Sequence, residues 1–383
     1  MKIVFTGGGT GGHFYPIIAI AEALHDIVGE QRLIAPRLYY IAPTPFDEEA
    51  LFENEIQFIR SPAGKMRRYA SILNVTDMFS TAAGVLHCLG VLLMLYPDVV
   101  VSKGGYASVP TVLAARILGI PVMVHESDAK PGKANLLAGD FAVRIALAFS
   151  SAAASFPASA KNKIAVTGIP IRKALLYPET EGARQYLNLE AGLPTVLILG
   201  GSSGAQRIND VVLEALPELV QFANVIHQTG KDNYKDVEKM IPVILGKSEA
   251  ALRYHLFPYL NLLSLRRAAG AADIVVSRAG ATAIAEIALW KKPAILIPIP
   301  EEVSHDQRTN AYAYAHIGAA TVLEEANLTP HILVSEVKRI VSDSQLSASM
   351  SVKSESFRNV EAARIIAEEI VRIALSHEPK KPS

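Results

Sequence analysis

The sequence predicts an α/β fold of two Rossmann-like domains, and three observations point to it. Short apolar runs rich in β-branched residues alternate with longer helical patterns, as parallel strands buried on both faces require. A strand, a glycine-rich turn and a helical pattern occur together twice. Lys2-Ile-Val-Phe-Thr runs into Gly7–Gly12, and Thr195-Val-Leu-Ile-Leu runs into Gly200–Gly204. At 383 residues the chain also exceeds what one compact core holds.

In order, the first series of predicted strands is Lys2–Phe5, Leu38–Ile41, Val99–Ser102, Val122–His125 and Lys163–Thr167. The second is Thr195–Leu199, Asn224–Gln228, Ile274–Ser277 and Ala294–Ile297. Each half of the pseudo-repeat has the appearance of the first strand of an open parallel sheet, so a domain starts at each. The joint is placed at Gly168–Ile171, where Gly-x-Pro breaks regular structure. This gives a first domain over 1–170 and a second over 171–356. The amphipathic stretch 357–375 can pack on either and is assigned to the first.

Half of the residues are hydrophobic and 19% are charged, which suits folded α/β domains and argues against disorder. Thirty-seven basic and 37 acidic side chains cancel, so no nucleic-acid partner is expected. The single cysteine, Cys88, forms no internal disulfide and no metal cluster, which fits a reducing compartment. The N-terminus lacks a signal-peptide pattern. The apolar segment Val85–Tyr96 is shorter than the roughly 20 residues a bilayer span takes.

Glycines after a strand let backbone N–H groups approach an anion, reinforced by the helix terminus behind them. Gly7-x-Gly9-x-x-Gly12 matches the dinucleotide fingerprint, but Ala42-Pro43-Thr44-Pro45 stands where that motif needs an acidic residue. Gly200-x-Ser202-x-Gly204 matches a nucleophile elbow, with Asp273, His305, Asp306 and His316 as triad candidates, yet leaves the first loop without a task. Neither loop carries the Gly-Lys-Ser/Thr of a Walker loop. Gly104-Gly105-Tyr106 makes a third such loop at the strand edge where open sheets bind ligands.

The run Gly8-Gly-Thr-Gly-Gly-His-Phe-Tyr-Pro16 resembles the opening of the MurG family. These transferases add N-acetylglucosamine to undecaprenyl-diphosphate-linked N-acetylmuramyl peptide. The likeness continues through Gly104-Gly-Tyr-Ala-Ser-Val-Pro110, His125-Glu-Ser-Asp128, Gly168-Ile-Pro-Ile-Arg172 and Gly200-Gly-Ser-Ser-Gly-Ala205. It closes with Ser277-Arg-Ala-Gly-Ala-Thr-Ala-Ile-Ala-Glu286 and His305-Asp-Gln-Arg-Thr-Asn-Ala311. The resemblance implies a GT-B glycosyltransferase, its two domains facing across a cleft, with UDP-N-acetylglucosamine as donor and inversion at the anomeric carbon. It further implies that Arg172, Ser202 and the segment Ala281, Thr282, Ala283, Ile284, Ala285 and Glu286 hold the nucleotide. Within that set, Ser202 and the backbone at Ala281–Thr282 meet phosphate, and Glu286 takes the ribose hydroxyls. Uracil is implied near Tyr259–Leu260, donor sugar at Gln307, and the sugar and acceptor side at Thr10, Gly11, Gly12 and Asp128. Two departures bear on sugar specificity. The family's Glu-Gln-Asn is Glu126-Ser127-Asp128 here, and its Asp-His-Gln is His305-Asp306-Gln307.

Sugar transfer needs a base for the acceptor hydroxyl and stabilisation of the departing diphosphate. No Asp-x-Asp metal motif is present, so neither metal nor cofactor is expected and N–H groups, helix ends and Arg172 must meet that charge. His13 and Glu126 are the catalytic candidates. His13 reads equally as a capping or diphosphate-binding residue, Glu126 as a carboxylate bonded to backbone N–H groups, and Asp128 as a base or a helix cap. Glu286, flanked by apolar residues on its helix, reads as a ligand contact. A lipid-linked acceptor implies peripheral attachment to the cytoplasmic face of the membrane. Lys65-Met-Arg-Arg-Tyr69 has the composition for it, whereas Ala82–Tyr96 reads as a core helix. A 2-epimerase acting on the same donor, another glycosyltransferase of this fold and a silent nucleotide-sugar binder are the rival readings.

Overall fold

The computed structural model describes residues 1–8, 10–64, 73–200, 205–300 and 307–376, with backbone only for 73–75. The chain divides into two compact units, Met1–Arg172 with Asn359–Ser383, and Lys173–Arg358.

The first unit carries a seven-stranded, all-parallel sheet. Its strands are β1 Lys2–Thr6, β2 Arg37–Ala42, β3 Ile56–Arg60, β4 Val99–Ser102, β5 Val122–Glu126, β6 Arg144–Leu147 and β7 Ile164–Val166. They are ordered β3-β2-β1-β4-β5-β6-β7. Ile3 pairs with Leu38 on one side and Val99 on the other, so the order reverses at β1. The second unit repeats the plan with β8 Thr195–Leu199, β9 Asn224–Gln228, β10 Tyr254–Phe257, β11 Ile274–Ser277, β12 Ala294–Leu296 and β13 Ala320–Val322. Its order is β10-β9-β8-β11-β12-β13, again parallel and reversing at the first strand. Crossovers leave such a reversal point on opposite faces, which opens a crevice at the carboxyl ends of the strands. Each unit therefore offers one ligand edge where its glycine loop begins.

Sequence reading missed β3, β6, β10 and β13. Three of these lie at sheet edges, where one face meets solvent and the apolar run is short; in Ile56–Arg60 only Ile56 is buried. The fourth, Arg-Ile-Ala-Leu, has too few β-branched residues to stand out.

The stretch assigned to 357–375 splits. Phe357 packs edge-on against Tyr314 in the second unit. Asn359 then donates to the Thr167 carbonyl at 2.7 Å and accepts from the Glu361 N–H, and the helix runs only over Ala362–Leu375. That helix lies along the Gly11–Glu30 helix, placing Ile366, Ala367 and Ile370 in one core with Ile17, Ile20 and Leu24. Arg364 pairs with Glu30 at its rim.

In the second unit His227 is wholly buried. It donates from Nε2 to Asn209 Oδ1 at 3.1 Å and accepts at Nδ1 from the Tyr254 hydroxyl at 2.9 Å. Burial pushes it down to about 3. Between pH 3 and 6.5 the unfolded histidine binds a proton that the folded one does not, so acid selectively favours unfolding. Stability should fall across that window by about 1.4 kcal/mol per pH unit from this group. Urea unfolding at several pH values checks it, and His227→Gln should flatten the slope.

Candidate active site

At the first unit's ligand edge the glycines are there because the backbone of neighbouring turns is too close for a side chain. A Cβ on Gly105, at φ +77°, would meet the Gly8 carbonyl oxygen at 2.8 Å. One on Gly7 would meet Lys103 Cβ at 2.8 Å. The turns after β1 and β4 are thereby locked together, and Thr10 follows as the cap of the Gly11–Glu30 helix. Its carbonyl accepts the N–H groups of His13 and Phe14. Thr10 and Gly12 are exposed and Gly11 partly so. The first turn of a helix carries N–H groups without intrahelical acceptors and a partial positive charge, a suitable cradle for an anion.

His13, on that first turn, is held by its Nδ1–H, which donates to the Lys103 carbonyl at 3.0 Å. A carbonyl only accepts, so the lone pair lies on Nε2. Burial and then the Lys103 charge lower His13 below its usual range, against the raising effect of Asp128. The imidazole is therefore neutral near pH 7, the state a general base needs.

Glu126 closes β5 and is 2% exposed. Its Oε1 accepts the Asp128 N–H at 2.9 Å, and its Oε2 accepts the Gly132 N–H at 2.9 Å and Asn135 Nδ2 at 3.0 Å. Burial, then Asp128, raises its carboxyl above the usual range, while those donors pull it down. Both oxygens are occupied by the loop they organise. These bonds are those of a carboxylate held by backbone N–H groups, the second of the two readings of Glu126, and they tie it to the Ser127–Gly132 loop. Asp128, at the loop's start, is partly exposed.

Arg172 belongs by its contacts to the first unit, where its guanidinium stacks on the Tyr15 ring at 3.9 Å. Tyr15 in turn donates to Asp47 at 3.1 Å. The expected grouping of Arg172 with the 171–356 nucleotide residues is thus not what its contacts give.

At the second unit's ligand edge, Gly200 follows β8; Ser202 lies outside the described residues, as do His305, Asp306 and Lys65–Tyr69. From β11, Gly280 caps the helix Ala281–Trp290. Thr282, Ala283 and Glu286 line its more open face, whereas Ala281, Ile284 and Ala285 are buried. The side chains of Ile284 and Ala285 are core, so any contact of theirs with a nucleotide is through the backbone. Leu260, where uracil is implied to lie nearby, is 2% exposed and gives its N–H to Gln228 Oε1 at 2.9 Å. The neighbouring Tyr259 ring is exposed, with Lys231 Nζ 5.7 Å from its centre. Gln307 opens the helix Gln307–His316 and accepts the Ile299 N–H at 3.3 Å.

Asp273, a candidate triad member, sits at the opposite edge, where it accepts the Thr195 N–H at 2.8 Å. An open cavity of about 500 Å³ lies there too, lined by Arg184, Gly192, Asp273 and Ser347 among others, and contains none of the site residues. Among the described residues no group of three metal-ligating side chains converges. Sequence reading missed Lys103, Asn135 and Gln228. Lys103 and Gln228 stand at strand ends beside the glycine loops, which hinted at them, whereas Asn135 lies on the helix Lys133–Gly139 and carried no such hint.

The glycosyltransferase family 28 N-terminal domain matches residues 3–147, and the family's C-terminal domain matches 195–369. A UDP-N-acetylglucosamine–N-acetylmuramyl-(pentapeptide) pyrophosphoryl-undecaprenol N-acetylglucosamine transferase of Treponema denticola is 35% identical, over 92% of this chain and 91% of its own. The protein of the same description from Halothermothrix orenii is 34% identical over 93% and 94%. Acinetobacter baumannii MurG superposes with a TM-score of 0.71 at 25% identity, covering 97% of this chain and 99% of its own. A Neisseria meningitidis UDP-GlcNAc 2-epimerase reaches 0.67 at 15% identity, a likeness of fold alone. With relatives above 30% identity along nearly its whole length, this chain belongs to the MurG family of glycosyltransferases.

Proposed function

We propose that the protein transfers N-acetylglucosamine from UDP-N-acetylglucosamine to undecaprenyl-diphosphate-linked N-acetylmuramyl peptide, converting lipid I to lipid II in peptidoglycan synthesis. The observation that carries this reading is similarity along both units to transferases of that description. The second unit takes the nucleotide: Ala281 and Thr282 offer a helix terminus to the diphosphate, and Glu286, on the open face, takes the ribose. The first unit takes the acceptor, with Thr10–Gly12 and Asp128 along its path. An acceptor hydroxyl attacks the anomeric carbon as the bond to the β-phosphate oxygen breaks, inverting the centre. The hydroxyl proton passes to His13 Nε2, and UDP leaves with the bonding pair. One helix terminus supplies about 0.3–2 kcal/mol, so several donors must converge on the diphosphate.

The test is transfer of labelled N-acetylglucosamine onto a lipid-linked muramyl-peptide acceptor, with donor alone as control. Product that requires acceptor supports the reading. Epimerised donor without acceptor, or no product beside an active reference transferase, ends it.

Membrane attachment rests on the helix Leu73–Leu95. Its Thr76–Leu95 portion is long and apolar enough to cross a bilayer by length and composition. Cys88, Val91 and Leu92 are nevertheless seated in the first unit's core. On the other face Phe79, Leu86, Leu93 and Met94 are 60–81% exposed. The core-helix expectation is corrected: half of this helix faces outward, and a one-sided apolar face suits immersion at a lipid interface. Leu86→Asp/Met94→Asp should abolish co-sedimentation with anionic vesicles. Undiminished co-sedimentation would remove this face from the account.

A further inference from the structure

Lys103, in the turn after β4, is 1% exposed. A buried ammonium is costly unless paired and hydrogen-bonded. Here Nζ donates to His125 Nδ1 at 2.6 Å and to the Ser127 hydroxyl. His125 donates its Nε2–H to the Gly168 carbonyl at 3.0 Å, which leaves its Nδ1 lone pair for the lysine. Both acceptors are neutral, so the opposite charge must come from elsewhere. Glu126 and Asp128 provide it: they favour the ammonium form, while burial brings Lys103 down to about 8. The carbonyl of this same residue receives the His13 Nδ1–H. One lysine thus acts on His125 through its side chain and on His13 through its main chain.

We propose that Lys103 is a positioning residue for sugar transfer: its carbonyl sets the tautomer of His13, and its ammonium balances the Asp128 carboxylate beside that imidazole. The inference rests on the transferase reading and adds a residue to it. The charged groups that act on His13 are Lys103 from the turn after β4 and Asp128 just beyond β5, with the neutral His125 of β5 alongside. Along its own helix stands Tyr15, capped by Arg172. Within this set Lys103 lowers His13 and Asp128 raises it, so the two charges oppose each other at one imidazole. A carboxylate at position 128, where the family resemblance implies an amide, is thereby answered within the same cluster of turns.

The experiment is a cycle of Lys103→Met, Asp128→Asn and the double variant, read in two ways. Histidine-selective NMR titration, with His13 assigned through His13→Gln, reports its protonation without any transfer activity. The pH profile of kcat/KM for the lipid acceptor reports the same group in turnover. Lys103→Met should raise the His13 midpoint, and each unit of rise should lower kcat/KM about tenfold on the acid side. Adding Asp128→Asn should bring the midpoint back toward that of the unsubstituted protein, read by NMR, since Asp128 also lies on the acceptor's path. If Lys103→Met does not fold, Asp128→Asn alone should lower the midpoint. An unmoved His13 midpoint in a folded variant, or a loss equal at every pH, overturns the proposal. Absence of transfer by the unsubstituted protein would instead overturn the transferase reading, and the NMR arm keeps the two failures apart.

Discussion

His13→Ala should lower kcat for sugar transfer by about 10²–10⁴-fold, the range that a positioned general base contributes, and leave the affinity for UDP near its original value. The expectation follows from the geometry of one turn. The Nδ1–H is committed to the Lys103 carbonyl, so Nε2 is the basic atom. Burial and the lysine charge hold the imidazole below its ordinary titration range. A base lowered in this way stays unprotonated to more acidic pH, so the acid limb of the kcat profile should fall below about 6.5. His13→Gln preserves a donor to the carbonyl and separates the two jobs. If it restores activity, hydrogen bonding rather than proton transfer is what His13 supplies. Steady-state kinetics across pH 5–9, beside calorimetric UDP binding, make the measurement.

Glu126→Ala should have the next largest effect, through a different route. Its carboxylate accepts from two backbone N–H groups and one amide, all in a site with little access to water. Each donor stranded without a partner costs about 1–3 kcal/mol, so with three donors the loop loses about 3–9 kcal/mol of support. Acceptor kcat/KM should fall at least 10²-fold, with the donor KM little changed and the urea midpoint lowered. Glu126→Gln turns an amide nitrogen toward these donors and should recover only part of the stability. A Glu126→Gln protein that kept full stability yet lost kcat would return this residue to the chemistry.

The central strands were legible because they are buried on both faces and their β-branched runs show it; β1, β4, β5, β8 and β11 all stand out. Edge strands such as Ile56–Arg60 share their pattern with loops, so register with a neighbour decides them. The glycine loops were legible for a related reason, since close backbone approach leaves few alternatives to glycine. Lys103 was not, because a lysine after a strand looks like any solvated one until His125 and Ser127, 22 and 24 residues further on, are brought to it. The same blindness to partners affected Glu126, whose role depends on donors up to nine residues further along. The helix Leu73–Leu95 was misread in the opposite sense. Apolar residues on all its sides resemble a core element, and only the packing of Cys88, Val91 and Leu92 tells which side faces in.

The helix Ala362–Leu375 has a consequence for how the protein is made. The first core contains Ile366, Ala367 and Ile370, so roughly the opening half of the chain leaves the ribosome without its full complement of apolar partners. The whole second unit, Lys173–Arg358, must be synthesised before those residues appear. At about 5–20 residues per second, the uncovered flank of the Gly11–Glu30 helix persists for some ten to forty seconds. During that interval the nascent first unit exposes an apolar flank of the kind that promotes aggregation. Maturation order is therefore inverted, with the domain begun first completed last.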